Sequence, residues 1–213
     1  MKTNSLAIPL ALALVLTNPA SSPAEPTNAA AEAAYTRTIE KRVGDILAVL
    51  DLKEPAKIKN VHDTLITQYR TLNNWHDAND AKRKAAKGEE AEQLKASLKA
   101  FHDKFIAALS AELITEQVEK VKDKMTYGKV QFTYTGYLGE YPNLSDLNKQ
   151  RVLALLKEAR EEAMDGGSSD EKSAIFNRYK GKINNYLSAQ GVSSPKKNKP
   201  TASATNSPAR NEK

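Results

Sequence analysis

Asn73, His76 and Asp80 stand at the spacing that stacks side chains on one face of a helix, and they continue a line begun by Tyr69. An imidazole and a carboxylate four residues apart can form an acid–base couple, the carboxylate orienting the ring. They can also reach one cation together. A metal site needs at least a third protein ligand, and the neighbouring sequence offers Asp77 and Asn73 for it. The commoner use of such a pair is a structural hydrogen bond near a helix end, here with Trp75 packed beside it. That structural use is the favoured reading. No catalytic residue, metal ligand or cofactor is therefore assigned, although His76 and Asp80 are the pair that either chemistry would employ. His62 and His102 stand singly on helical stretches and read as surface or packing residues.

A second concentration lies at residues 125–142. It holds Tyr127, Phe132, Tyr134, Tyr137 and Tyr141, five of the chain's thirteen aromatics, with Gly128, Gly136 and Gly139 between them. Residues 131–137 alternate loosely, with Phe132 and Tyr134 inward and Thr133 and Thr135 outward. This reads as an ordered loop with marginal strand. Aromatic rings with hydrogen-bonding rims suit sugars, whose C–H faces lie on the ring while polar groups set orientation. About half of these rings should pin the segment to the core, leaving Tyr134 and Tyr137 as the exposed pair. The binding set expected from sequence is thus Tyr69, Asn73, His76, Asp80, Tyr134 and Tyr137. A third stretch, residues 177–186, is dense in polar side chains. There Asn184 and Asn185 are expected to hold the insert's backbone, and Gly181 to admit a close helix.

The rest of the chain has helical rhythm. Ile39, Val43, Ile46 and Leu50 form one apolar stripe; Ile58, Val61, Leu65 and Leu72 form the next, after Pro55 at a first turn. Leu98, Phe101, Phe105 and Leu109 make a third. Thr115 is placed to cap a short helix carrying Val118, Val121 and Met125. Ser145 caps a helix that buries Leu147, Val152, Leu155 and Leu156. Gly166 and Gly167 end it, and Ser168 with Glu171 forms a capping box for the last helix. The fold expected is all-α: a bundle of five or six helices with a Tyr/Gly-rich irregular insert between residues 126 and 143.

Composition sets the remaining bounds. The chain has 213 residues and no cysteine, which excludes a disulfide framework and thiolate metal sites. Residues 1–24 read as a signal peptide, with the apolar run 6–16 too short to span a bilayer. Residues 25–34 are an Ala/Pro-rich spacer, 35–191 a single helical domain, and 192–213 a disordered basic tail. The net charge of +6 does not point to nucleic acid: the tail carries +4 and the body between Glu25 and Gly191 only +1. Secretion to the periplasm or beyond is expected, with no transmembrane segment once the signal is removed. Phosphate loops, nucleophile elbows, zinc-protease helices and EF-hand loops are all missing from the sequence.

Several strings are shared with a known family: Gln68-Tyr69-Arg70 leading to His76-Asp77, Leu113 to Val118, Met125-Thr126-Tyr127-Gly128, Tyr134-Thr135-Gly136-Tyr137, Lys157-Glu158-Ala159-Arg160, and Tyr179 to Leu187. On these the chain resembles the secreted domain-of-unknown-function family thirty-eight twenty-six of Bacteroidota and related bacteria, over about residues 35–191. The resemblance implies no established activity. It associates the chain with polysaccharide-degrading bacteria. The leading expectation is a non-catalytic accessory or binding protein linked to polysaccharide utilisation, with a glycan or another envelope protein as partner. The alternatives are a periplasmic chaperone or envelope-stress protein, suggested also by the partial motif Leu113, Thr115, Gln117, and a hydrolase or lyase using His76 and Asp80.

Overall fold

A computed structural model describes residues 28–193. The expected signal peptide and nearly all of the basic tail lie outside that range. By its contacts the chain divides into residues 1–36 and 37–213. Of the first part only the helical stretch 28–36 is described. The described residues form seven helices: α1 Asn28–Leu47, α2 Pro55–Ala85, α3 Glu89–Glu112, α4 Thr115–Met125, α5 Lys129–Glu140, α6 Asp146–Met164 and α7 Ser169–Ala189. The all-α expectation holds, with one or two helices more than foreseen. The helix foreseen from Tyr35 begins at Asn28 instead. Alanine is the best helix former, so the Ala-rich end of the expected spacer extends the helix backward.

The helices bury two apolar clusters. Val43, Ile46, Leu65, Leu109 and Val121 gather α1 to α4 into one, which Met164 of α6 also enters. Tyr137, Leu156, Ala159, Phe176 and Ile183 gather α5, α6 and α7 into the other. Burying each such aliphatic or aromatic side chain contributes about 1.5–3 kcal/mol relative to leaving it exposed. The helix ends follow their local chemistry. Ser145 Oγ accepts from Asn148 N at 3.3 Å, and Ser168 Oγ accepts from Glu171 N at 3.1 Å. At α4 the cap position falls on Ile114 rather than Thr115. There Gln117 accepts from the Ile114 N–H at 3.2 Å and donates to Leu50 O at 2.9 Å, tying α4 to the end of α1. Leu147, expected in the buried face of α6, is 70% exposed in its first turn.

The largest correction concerns the insert. Residues 129–140 are not a loop or strand but the helix α5. Its buried positions are Val130, Thr133 and Tyr137, and Tyr134 is half-buried beside them. Phe132, expected inward, is 79% exposed. The spacing Val130, Tyr134, Tyr137, Tyr141 is helical and was available in the sequence. β-branched residues and glycines, poor helix formers, disguised it, and packing on α6 and α7 overrides that propensity. Nor is Gly181 a point of close approach, since a Cβ added there meets nothing within 4 Å.

Gly136 and Gly139 also have open space around a built Cβ. Replacing either with alanine is therefore expected to raise stability by about 0.5–1 kcal/mol in urea unfolding. A loss of stability at both would contradict a helical α5.

Candidate binding site

The stripe foreseen on α2 does not stay together as a surface. His76 is buried at 5% exposure. Its Nδ1 meets Asp80 Oδ1 at 2.9 Å and its Nε2 meets the Asp165 carbonyl at 2.8 Å. Both ring nitrogens are thus spent on protein acceptors. Trp75 stands edge-on to the ring, with centroids 5.0 Å apart, and donates its own N–H to Ser97 Oγ at 2.9 Å. Gly167 covers the ring on the other side: a Cβ there would lie 2.7 Å from His76 Cγ. The glycine pair therefore does more than end α6, because only a residue without Cβ lets the α6–α7 turn close over the imidazole. Asn73 turns to its neighbour Asp77 at 2.8 Å.

His76 belongs to a polar seam between the two cores. Asp80 pairs with Arg83 at 3.1 Å, and Arg83 reaches Glu171, whose other oxygen accepts the Gly167 N–H at 2.9 Å. Desolvation works against the Asp80 carboxylate, but His76 and Arg83 hold its pKa below the ordinary value. His102, read from sequence as a lone residue, lies 3.2 Å from Asp165 and 3.5 Å from Glu161. Hydrogen bonds donated to Asp165 and then to Glu161 push its pKa up to about 9. Burial opposes ionisation of Glu161, yet His102 and Lys122 bring it down to about 2. Arg160, 2% exposed, donates to Asp123 and Glu119, each at 2.7 Å. Lys172 donates to the carbonyls of Met125 and Met164 at 3.3 and 3.1 Å, and its burial lowers its pKa to about 8. The His76–Asp80 pair was legible in the sequence; the partners of His102, Arg160 and Lys172 were not, since they come from other helices.

The tyrosines separate too. Tyr137 is 7% exposed, its hydroxyl donating to Asn184 Oδ1 at 2.9 Å, so it is a core residue and not half of an exposed pair. Asn184 takes that hydroxyl and not the insert's backbone. Tyr134 is half-buried against the same core. His76 sits at the start of α7 and Tyr137 eleven or more residues along it. At 1.5 Å rise per residue they are more than about 15 Å apart. The insert and the stripe are therefore not one site. Among the described residues no group of three or more histidine or acidic side chains is arranged to hold a metal ion.

Tyr69 does reach an open cleft. It lines a cavity of about 850 Å³ with Arg42, Lys120, Lys124 and Tyr127, between α1, α2 and the end of α4. The Arg42 guanidinium lies over the Tyr69 ring at 5.9 Å. Tyr127 arrives there through an unusual turn. The Gly128 N–H bonds to Asp123 O at 2.8 Å and the Tyr127 N–H to Lys124 O at 3.2 Å, a Schellman closure of α4. The residue after the cap in this motif takes left-handed backbone and is normally glycine, but here Tyr127 holds φ +58°. The residue is 49% exposed. Sequence reasoning included Tyr127 among the aromatics but did not single it out; the Tyr-Gly pair directly after a helical stripe was the signal. A second cleft, of about 610 Å³, runs from Leu94 and Leu98 of α3 to Ile175 of α7, with the His102 cluster on its wall.

A family model described as Protein of unknown function (DUF3826) matches residues 36–204. The chain belongs to this family. A search of characterised proteins finds no match. Membership extends over all of α2 to α7, so the seam and the Tyr69–Tyr127 cleft both lie within the family's extent. No helix of the described residues is long and apolar enough to cross a membrane.

Two outcomes follow from the seam. Gly167→Ala should destabilise the fold by about 1–3 kcal/mol in thermal or urea unfolding, because the new Cβ overpacks His76. For His102 the folded pKa is raised, so its contribution is complete below about pH 6.5 and is lost as pH rises through about 9. Stability should fall by about 2 kcal/mol between pH 6.5 and 8. Lys172 acts oppositely above pH 8, since the folded state favours its neutral form and stability recovers toward the unfolded value near 10.5. His102→Asn should flatten the decline below pH 8; an unchanged slope would remove His102 as its cause.

Proposed function

We propose that the protein is a non-catalytic, exported binding protein whose saccharide ligand occupies the cleft between Tyr69 and Tyr127. The observation that carries this is Tyr127 itself. Left-handed backbone costs a non-glycine residue about 1–2 kcal/mol, and burial does not repay it, because the residue is half exposed. Strain of this kind at a cleft points to a side chain retained for contact with a ligand. Two tyrosines in an open, polar-rimmed cavity of about 850 Å³ suit a saccharide, which offers C–H faces to rings and hydroxyls to polar side chains. The signal peptide and the association with polysaccharide utilisation expected from the sequence agree with this reading.

The geometry favours binding over hydrolysis or lyase chemistry at His76. A general base must reach the proton it takes, and this ring is buried, doubly hydrogen-bonded and covered by Gly167. A chaperone reading has less support. Among the described residues the large apolar side chains left exposed are Ile114, Tyr127, Phe132 and Leu147, which is little surface for holding unfolded clients.

Tyr127→Gly separates binding from folding. It should stabilise the protein by about 1 kcal/mol in thermal unfolding while weakening saccharide binding at least tenfold by calorimetry. The titration uses the full chain and a panel of plant and algal oligosaccharides. Saturable binding that survives Tyr127→Gly unchanged, or no saturable binding across the panel, would sink the proposal.

A further inference from the structure

The same cleft carries charge that the fold does not use. Arg42, Lys120 and Lys124 line it, together with the carboxylates Asp45 and Asp123. Both carboxylates are already engaged elsewhere. Asp45 pairs with Lys41 at 2.8 Å, and Asp123 pairs with the buried guanidinium of Arg160 at 2.7 Å. Among the described residues, Arg42 and Lys124 have no carboxylate within ion-pair distance. Lys120 donates one hydrogen bond to the Val49 carbonyl at 3.3 Å, which leaves the rest of its ammonium free to donate. Three cations from α1 and α4 therefore converge on one cavity; Lys124 acts on Asp45 and Lys120 on Asp51 through their fields and not through an ion pair. The Arg42 charge reaches inward as well, opposing protonation of the buried Lys172.

We infer that the saccharide bound here is an acidic one, its carboxylate or sulfate group seated between Arg42, Lys120 and Lys124 while a sugar ring meets Tyr127. This rests on the binding reading above and adds the ligand's chemical class. Arginine presents a planar fork that matches a carboxylate or sulfate with two parallel hydrogen bonds. Stacking on Tyr69 holds the Arg42 guanidinium in place, so less conformational freedom is lost when the anion arrives. The two lysines act as mobile point charges that close on the anion from the α4 side. A nucleic acid is a poorer fit, because the folded body carries a net charge of only +1 between Glu25 and Gly191.

Calorimetry on the full chain tests this with oligosaccharides matched in length and linkage, one neutral, one carrying uronate and one carrying sulfate, beside inorganic sulfate alone. The acidic sugars should bind at least tenfold more tightly than the neutral one. Their affinity should fall several-fold when sodium chloride is raised from 50 to 500 mM. Arg42→Gln and Lys124→Gln should each cost roughly tenfold in acidic-sugar affinity. Lys124→Gln should leave the melting temperature unchanged, and Lys95→Gln, beside the other cleft, should leave the affinity unchanged. Equal, Tyr127-dependent binding of neutral and acidic sugars would overturn the charge assignment while leaving the binding reading in place. Binding of no sugar at all would overturn both. Inorganic sulfate binding as tightly as the sulfated sugar would show a simple anion site and overturn saccharide recognition.

Discussion

Three nitrogen-bearing side chains, His76, Arg160 and Lys172, are taken out of water where the two apolar cores meet, and each must find its acceptors there. A buried cation without partners would cost several kcal/mol, so their partners dictate how the helices are set. Lys172 is the clearest case. It reaches the last residues of both α4 and α6, where helix carbonyls have no intrahelical donor. One ammonium thereby satisfies two helix ends that are unrelated in sequence. Arg160 does the same for charge, drawing Glu119 and Asp123 of α4 onto α6. The α6–α7 turn can close over this junction only because Gly167 has no Cβ to strike His76.

In this arrangement the polar groups concentrated on α2 hold one another and the neighbouring helices. Each group there is matched: His76 by Asp80 and Asp165, Asp80 by Arg83, and Arg83 by Glu171. Such a network is rigid, and most of its hydrogen-bonding capacity is spent within the protein, the Arg83 Nε being left over. The cleft between α1, α2 and α4 differs in that respect. Its cations lack matching carboxylates and its Tyr127 is held at a backbone cost that a glycine would avoid. Cations without an ion pair and a strained Tyr127 coincide in this one cavity.

Helical content was legible in the sequence because it is written locally, as apolar spacing and as capping residues. Ser145 and Ser168 cap the helices they were expected to cap, and the apolar stripes of α1 and α2 turn inward as read, while in α3 Phe105 and Leu109 are buried and Leu98 and Phe101 only half-buried. The insert was misread where local signals conflict. Its glycines and β-branched residues argue against a helix, and only contact with α6 and α7 outweighs them. The same packing reversed the expectation for its rings, burying Tyr137 and exposing Phe132, because a helix distributes side chains on a period of 3.6 and not two.

What the sequence determined by itself was the class of fold, the family, the near-neutral body and the set of residue types capable of binding or chemistry. Those properties depend on composition and short-range spacing. Which of the residues act together was decided only by tertiary structure. His102 meets Asp165 across 63 positions, and His76 meets the same residue's carbonyl across 89. Arg42 meets Tyr69 from another helix, and Tyr127 joins them through a turn whose left-handed backbone no residue count reveals. Such pairings are set by how helices cross once their apolar faces are buried. A site assembled from three helices and a turn therefore leaves little trace in any one of them.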